Sequence, residues 1–450
     1  MNTFSDTICA ISTPQGTGGI AVIRISGTEA IAAAEKLTGS RLTKQMHFRH
    51  IDGLDDVVVS CFHAPHSYTG EDVAEISCHG SLFIQREIIR RLNAIGVRQA
   101  EAGEFTRRAF ANGKMDLSQA EAVADLIASE SSAAHNVALN HLKGGIKDEL
   151  NALRDKLLTL TSLLELELDF ADHEDVEFAD RSELTQIAMQ TSNRLSELAD
   201  SFRLGNAIKN GVQVAIIGPA NAGKSTLLNA LAGEDKAIVS SKEGTTRDAI
   251  EATVNIGGIL FRFTDTAGLR HSEDEIERIG IERSEKAAAD ADAVVAVVEA
   301  DEYEKRINDQ ALGIKYSYFE RIVSGLSKPV CFVYNKADLI DANNTQADDN
   351  TLYISAKNKD IEPLKQWLHS HFADNLNCQA VVVSNERHYY ALCRAKEAVD
   401  RVLDGLNNGL SGELVALDLH DCLDSIGEIT GRITSEEVLQ SVFRNFCIGK

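Results

Sequence analysis

Residues 218–225 read Gly218-Pro-Ala-Asn221-Ala222-Gly223-Lys224-Ser225, a G-x-x-x-x-G-K-[ST] pattern. Glycines at both ends let the backbone N–H groups between them curl around an anion. The lysine reaches the β and γ oxygens of a nucleotide, and the Ser225 hydroxyl can ligate Mg²⁺. Three more elements follow in the order such a site needs. Gly244-Thr245-Thr246 brings a hydroxyl, that of Thr246, to complete the metal shell when a γ-phosphate is present. Asp265-Thr266-Ala267-Gly268 brings a carboxylate that holds Mg²⁺ through water and, at Gly268, an N–H that senses the γ-phosphate. Asn335-Lys336-Ala337-Asp338 presents a carboxylate able to accept from both N1–H and the 2-amino group of guanine. Against adenine that carboxylate would be left unpaired, which gives strong discrimination. Ser355-Ala356-Lys357 adds a backbone N–H for the guanine oxygen. In register, these motifs describe a guanine-nucleotide site.

The elements that must position them are also legible. Val212–Ile217 reads as a buried strand ahead of the glycine loop, with a helix over 226–231 behind it. Strands over 260–264 and 330–334 precede Asp265 and Asn335, and another precedes Ser355. From 212 to about 368, strands and helices alternate, as in a parallel sheet covered on both faces. Ras-like enzymes follow the Asp-x-x-Gly glycine with a glutamine that orients water; here that residue is Leu269. Candidates to replace it are Arg270, Glu273, Glu275 and Glu277.

Elsewhere the texture differs. Residues 1–117 mix β-branched runs (20–25, 57–61 and 73–78) with glycine turns and a helix over 82–95, an α+β pattern. From Ser118 the chain turns helical, and Ser118 with Glu121 has capping-box spacing. Ile146, Leu150, Leu153, Leu157, Leu160 and Leu164 recur at steps of four and three, a single apolar seam of a bundle helix. Residues after 386 are helical again up to a tail at 445–450. The fold class is therefore multidomain α/β and α+β, with an α/β domain inserted in a helical one. In the Cys78-His79 pair the two side chains point to opposite faces of an extended segment, so no dyad is expected there.

Composition sets the bounds. At ~150 residues per domain, 450 residues suggest about three. With 44% hydrophobic residues, 25% charged and five prolines, extended disorder is not expected. The net charge of −23 argues against coating nucleic acid by charge alone, although residues 1–116 hold 12 bases against 13 acids and are near neutral. Apolar runs fall well short of a membrane span, and the start carries no export signal, so no membrane association is expected. Eight scattered cysteines without a C-x-x-C pair fit reduced thiols in a cytoplasmic protein.

With Gly244-Thr-Thr-Arg-Asp248, Asp265-Thr-Ala-Gly-Leu-Arg270, Glu277-Arg-Ile-Gly-Ile-Glu282 and Cys447-Ile-Gly-Lys450, the chain closely resembles the MnmE/TrmE family of tRNA-modification GTPases. The resemblance runs end to end, through Ile23-Arg-Ile-Ser-Gly27, Tyr68-Thr-Gly-Glu-Asp72, Gly103-Glu-Phe-Thr-Arg107 and Asp116-Leu-Ser-Gln-Ala-Glu121. It implies a folate-binding and dimerisation domain over 1–117, a discontinuous helical domain over 118–210 and 373–450, and an inserted Ras-like P-loop G domain over 211–372. It further implies a homodimer whose G domains meet face to face when GTP, Mg²⁺ and K⁺ are bound. The implied partner is an FAD-dependent protein of the MnmG/GidA family, in a heterotetramer. The implied reaction adds an aminomethyl or carboxymethylaminomethyl group to carbon 5 of the wobble uridine of certain tRNAs. A reduced folate such as 5-formyl-tetrahydrofolate is the one-carbon donor.

Residue by residue, Asn221 matches the family's potassium-coordinating asparagine, beside the phosphate-loop residues Ala222, Gly223, Lys224, Ser225 and Thr226. Ser240, Ser241, Lys242, Glu243, Gly244 and Thr245 match the loop whose carbonyls complete that ion's shell. A monovalent cation against the phosphates can supply the charge an arginine finger supplies elsewhere. Glu277 matches the group that orients water, with Arg270 a further catalytic candidate. Arg24, Glu75 and Lys114 match the folate contacts, Lys450 is placed to reach that pocket, and Cys447 is a candidate redox or nucleophilic thiol. Two features depart from or complicate the pattern. Family loops often carry proline just before the asparagine, whereas here Ala220 sits there and proline is at 219. Lys242, within the cation loop, would compete with K⁺ if it folded inward.

Two other classes fit the chain less well. A ribosome-assembly GTPase usually appends a basic RNA-binding module, while 386–450 is mildly acidic and lacks a G-x-x-G clamp. A folate-dependent aminomethyl transferase acting on a protein or small molecule would leave the G domain without a role.

Overall fold

The computed structural model describes residues 5–169, 181–219, 221–234, 251–265, 285–305, 321–340, 350–373, 381–444, 446 and 448–449. They form two compact units: 1–127 with 139–195 and 391–450, and 128–138 with 196–390.

The first unit is built on a sheet of order β3-β4-β5-β2-β1-β6, with β1 Ile8–Ile11, β2 Gly18–Ser26, β3 Met46–Ile51, β4 Asp55–Phe62, β5 Val73–Gly80 and β6 Arg98–Gln99. Neighbours are antiparallel except β1 and β6. Strict alternation sends Ile23, Ile25, Val57, Val59, Cys61, Ala74, Ile76 and Cys78 to one face. The helices α1 (Ala30–Thr38) and α2 (Leu82–Ala94) cover that face. The opposite face carries Arg24 and Glu75, and exposes Ile20, Met46 and Phe48 by 67–69%. Cys78 is buried and His79 exposed, on opposite faces as expected.

Helices α3 (Glu104–Ala111), α4 (Leu117–Ala128), α5 (Ser132–Leu142), α6 (Gly145–Asp169) and α7 (Arg181–Asp200) follow. Along α6 the six seam residues are all buried, to 3% exposure or less, and α6 packs against the helix Gly412–Thr430. The start of α4 corrects the expected cap. Asp116 Oδ1 accepts from the Gln119 amide at 2.8 Å, and Gln119 Oε1 accepts from the Asp116 amide at 3.1 Å. The capping box is thus Asp116/Gln119, and Ser118 lies buried inside the helix. Leu117 decides the frame, because it must enter the helix to join Phe443 and Phe446 in the core.

The second unit is a sheet of order β12-β11-β10-β7-β9-β8, with β7 Val212–Ile217, β8 Glu251–Ile256, β9 Ile259–Asp265, β10 Ala293–Glu299, β11 Val330–Asn335 and β12 Thr351–Tyr353. Helices α8 (Phe202–Asn210) and α9 (Lys224–Glu234) flank β7 in sequence. Alternate residues of β7 and β10 enter two separate cores, Val214, Ile216, Val295 and Val297 on one face and Ala215, Ile217, Val294 and Val298 on the other. Both faces are therefore covered. The sheet is parallel except for β8, which returns antiparallel to β9 across a Gly257–Gly258 turn and makes an edge. That hairpin qualifies the purely parallel expectation.

A buried charge network stiffens the first unit. Arg108 and Glu104 have no exposed side-chain surface. Arg108 Nη2 donates to Glu104 Oε1 at 3.0 Å and to Asp6 Oδ1 at 2.8 Å, while its Nη1 donates to both Glu71 oxygens at 3.3 Å. Arg98 donates to Glu104 and Asp6 from the other side. Burial pushes the Glu104 carboxyl up, but hydrogen bonds from Arg98, the Glu101 amide and Arg108 outweigh it and leave the pKa lowered. Asp6 is lowered too, burial being overcome by Arg98 and Arg108. Replacing Arg108 by leucine removes its bonds to Glu104, Asp6 and Glu71, leaving the buried Glu104 with Arg98 as its one cationic partner among the described residues, and is expected to cost about 3–5 kcal/mol, read from thermal unfolding at neutral pH. Both carboxyls titrate below their unfolded values when folded. Their stabilisation is thus complete above the ordinary carboxylate range and disappears as pH falls through the folded values. A wild-type midpoint unchanged from about pH 6 to about pH 3 would contradict this.

Candidate functional site

The glycine loop leaves β7 at Gly218, whose φ is 153°. A Cβ there would lie 2.0 Å from the Val297 carbonyl oxygen of β10, so only glycine lets the loop start this close to the sheet. Asn221 takes a φ of 67° and is exposed, a left-handed position that asparagine tolerates better than most residues. A Cβ on Gly223 would meet Asn335 Nδ2 at 2.1 Å. α9 then begins at Lys224, two residues earlier than expected, aligning its N-terminus with the loop. Lys224 Nζ donates to the Gly218 and Pro219 carbonyls at 2.8 Å each. Ser225 and Thr226 are exposed on the first turn.

One side chain joins this loop to the base-reading segments. At the end of β11, Asn335 Nδ2 donates to the Ala222 carbonyl at 2.8 Å, and its Oδ1 accepts from the Ala356 amide at 3.0 Å. Ala337 N donates to the Ile354 carbonyl at 3.0 Å. Asp338 is exposed, and its Oδ1 accepts from the Ser355 hydroxyl at 2.6 Å. That hydroxyl holds the Asp338 carboxyl below its usual range and so keeps it ionised as an acceptor. Lys336, at φ 62°, pairs its ammonium with Glu299. Lys357 is exposed at the turn. Asp265 ends β9 in register with Ile216, which brings its backbone beside the end of β7.

The first unit holds a second constellation. Arg24 and Glu75 face each other across β2 and β5. Arg24 Nε and Nη2 each lie 2.8 Å from Glu75 Oε1. The guanidinium sits 5.3 Å from the Tyr68 ring centre and 5.7 Å from that of Phe105. Its Nη1 donates to the Gly449 carbonyl at 3.5 Å, and the Ser12 hydroxyl donates to the same oxygen at 3.1 Å. Tyr68 shares a 2.8 Å hydrogen bond with the Thr106 hydroxyl, and burial raises its pKa despite that bond and Arg24. Lys114 Nζ donates to the Pro65 carbonyl at 3.0 Å, and its stem lies against Gly70. Lys114 thus borders the loop that carries Tyr68, without a hydrogen bond to the Arg24–Glu75 pair.

Residues 117–447 match the family model described as the MnmE helical domain, and residues 7–114 match that of the GTP-binding protein TrmE N-terminus. The chain belongs to the MnmE/TrmE family. Among its relatives is a protein of Parabacteroides distasonis named tRNA modification GTPase MnmE, 47% identical over 467 residues, covering 99% of this chain and 100% of that one. A protein of the same name from Bacteroides thetaiotaomicron is 46% identical over 472 residues, 99% of each chain. Another, from Porphyromonas gingivalis, is 47% identical and covers 99% of this chain and 98% of the relative.

Of the residues matched to the family's sites, Asn221, Ala222, Gly223, Lys224, Ser225 and Thr226 come together with Asn335, Lys336, Ala337, Asp338, Ser355, Ala356 and Lys357, and Arg24 comes together with Glu75. The residues Ser240, Ser241, Lys242, Glu243, Gly244, Thr245, Thr246, Thr266, Ala267, Gly268, Arg270, Glu277, Cys447 and Lys450, and the side chain of Asp265, lie outside the described residues. Among the described residues, no group of three or more His, Cys, Asp or Glu is arranged to hold a metal, and no helix is long and apolar enough to cross a membrane. Sequence reading missed Glu299, Ser12, Gly449 and Tyr68. Tyr68 and Gly449 left a signal, as members of Tyr68-Thr-Gly-Glu-Asp72 and Cys447-Ile-Gly-Lys450. Replacing Asn335 by alanine would leave the buried Ala222 carbonyl and Ala356 amide unpaired. A loss of about 1–3 kcal/mol for each is expected in thermal unfolding, with weaker nucleotide binding by calorimetry.

Proposed function

We propose that the chain hydrolyses GTP and acts in tRNA modification, at carbon 5 of the wobble uridine. The Asn335 bridge carries this reading, because it sets the phosphate loop and the guanine-reading Asp338 as one preorganised unit. Lys224 would exchange its two carbonyl acceptors for phosphate oxygens, and the N-terminus of α9 would face the same anion. Asp338, held ionised by Ser355, would accept from guanine N1–H and the 2-amino group. Gly218 and Gly223, where side chains would collide, leave a backbone cradle that fits a phosphate chain. Ser225, Thr246 and Asp265 would hold Mg²⁺. Asn221 makes no hydrogen bond among the described residues and fits a K⁺ ligand, with Ser240, Lys242 and Thr245 in the loop completing the shell. Bound there, the two ions neutralise charge that develops on the phosphates. Glu277 and Arg270 belong to the second switch in this reading, Glu277 orienting water in place of the glutamine that Leu269 replaces.

The remaining parts follow the family. Arg24, Glu75 and Lys114, with Lys450, bind a reduced folate such as 5-formyl-tetrahydrofolate. Glu75 Oε2 has no hydrogen bond among the described residues and suits the amino groups of a pterin. Cys447 is assigned a chemical role at that pocket. The half-open sheet face with Ile20, Met46 and Phe48 supports a homodimer through the N-terminal domain. An FAD-dependent partner of the MnmG/GidA family completes a cytoplasmic complex that installs the aminomethyl or carboxymethylaminomethyl group. The domains in this reading are 1–117, a helical domain from 118–210 and 373–450, and a G domain over 211–372.

GTP turnover in K⁺ is expected to exceed that in Na⁺ by about tenfold or more, equivalent to about 1.4 kcal/mol of barrier. Asn221→Ala should erase the difference, and turnover indifferent to both would remove the potassium part of the reading. Asp338→Asn replaces an acceptor with a donor, so preference should shift from GTP toward xanthosine triphosphate, whose 2-oxo group accepts. Digested tRNA from a strain lacking the chain should lose the wobble-uridine modification, and unchanged nucleoside levels would refute the tRNA role.

A further inference from the structure

The β8–β9 hairpin is gripped at its turn. Gly257 and Gly258 have φ values of 61° and 88°, the left-handed pair that a tight two-residue hairpin requires. A side chain on Gly257 would meet His369 of the helix Glu362–Ala373 at 2.1 Å, and one on Gly258 would meet Ser132 Oγ at 2.3 Å. The Gly258 carbonyl accepts from two donors on the first turn of α5, the Ser132 hydroxyl at 3.3 Å and the Ala133 amide at 3.2 Å. Its own amide donates to Asn255 Oδ1 at 3.0 Å. Ala133 and Ala134 pack with Ile208 and Leu204 of α8, so the start of α5 is seated on the same body as the hairpin.

At its other end the hairpin opens onto the segments that would sense a γ-phosphate. β8 begins at Glu251, three residues after Asp248 of Gly-Thr-Thr-Arg-Asp. β9 ends at Asp265, the first residue of Asp-Thr-Ala-Gly. The ladder between them runs unbroken from Glu251 opposite Thr264 to Ile256 opposite Ile259, a stiff element about 20 Å long. β7 pairs with β9 only over residues 261–265. The turn therefore lies past the β7–β9 pairing, held by Ile256 and Ile259 in the same core as Leu364 and Leu368, so the hairpin and its turn move as one piece. α5 is a continuous helix, and the chain leaves this unit inside it, after Ala138. A tilt of its first turn is therefore carried along the axis rather than taken up by a loop.

We propose that the β8–β9 hairpin is a relay, in which a change of state beside Glu251 and Asp265 tilts the Gly257–Gly258 turn and, through Ser132 and Ala133, moves α5. It rests on the GTPase reading, which supplies the two states. The test is hydrogen exchange on the full chain in Mg²⁺ and K⁺, with GDP or with a non-hydrolysable GTP analogue. In the wild type, amides over 132–142 are expected to differ between the two states by at least about fivefold, the lower range of ordinary coupling. Gly258→Ala, whose new Cβ displaces Ser132, should abolish the difference while GTP turnover stays within about twofold. To separate the relay from strain at a left-handed position, Ser132→Ala deletes one of the two bonds without touching the strands, and should shrink the difference. Equal exchange in both states of the wild type, or a difference that survives unchanged in both variants, overturns the relay. A wild-type chain without GTP turnover in the same buffer would instead overturn the GTPase reading beneath it.

Discussion

Asn335 holds the second unit's site together. Its carboxamide links a loop that follows one strand to a turn that follows another, with both bonds buried. Because an amide donates on one side and accepts on the other, a single planar group can clasp a carbonyl and an N–H at once. Aspartate or leucine of similar size could satisfy only one side or neither. Gly223 follows from the same constraint, since any side chain there would strike the asparagine nitrogen. The tight conformation of the loop is thus imposed from the far side of the site as much as by its own glycines.

The first unit solves a similar problem with charge. Its loop over 65–72 is fixed from beneath by Glu71, which takes hydrogen bonds from Ser26 and from the fully buried Arg108. It is tied at its middle by Tyr68 and Thr106, and Tyr68 in turn supports Arg24. Arg108 therefore acts on the pocket at one remove. Buried ion pairs contribute little net stability when compared with apolar substitutes, yet breaking one is costly. Such a network suits a task of holding orientation rather than adding stability.

Much of this was legible in the sequence, for identifiable reasons. The seam from Ile146 to Leu164 was readable because helical periodicity survives in one dimension, and all six residues are buried as that pattern requires. The phosphate loop and base-reading motifs were readable because each needs fixed residue types at fixed spacing beside a strand. The cap of α4 was misread because two capping frames overlap there, and only the tertiary burial of Leu117 chooses between them. The antiparallel β8 was missed because its signal is a lone Gly-Gly pair between two ordinary apolar runs. Glu299 against Lys336, and Ser12 against Gly449, left no local trace: the partners lie 37 and 437 residues apart.

That last separation has a consequence for synthesis. Residues adjoining β1 and α3 find part of their cover in Phe443, Phe446 and Gly449: a Cβ on Gly103 would touch Phe443 and Phe446, and one on Gly449 would touch Ile11. At ~5–20 residues per second a ribosome makes these residues some tens of seconds after the sheet they close upon. Through that interval α3 and α4 carry an unsealed apolar seam around Phe110 and Leu117, so its completion awaits synthesis of Phe443 and Phe446 rather than emergence of the strands beside it.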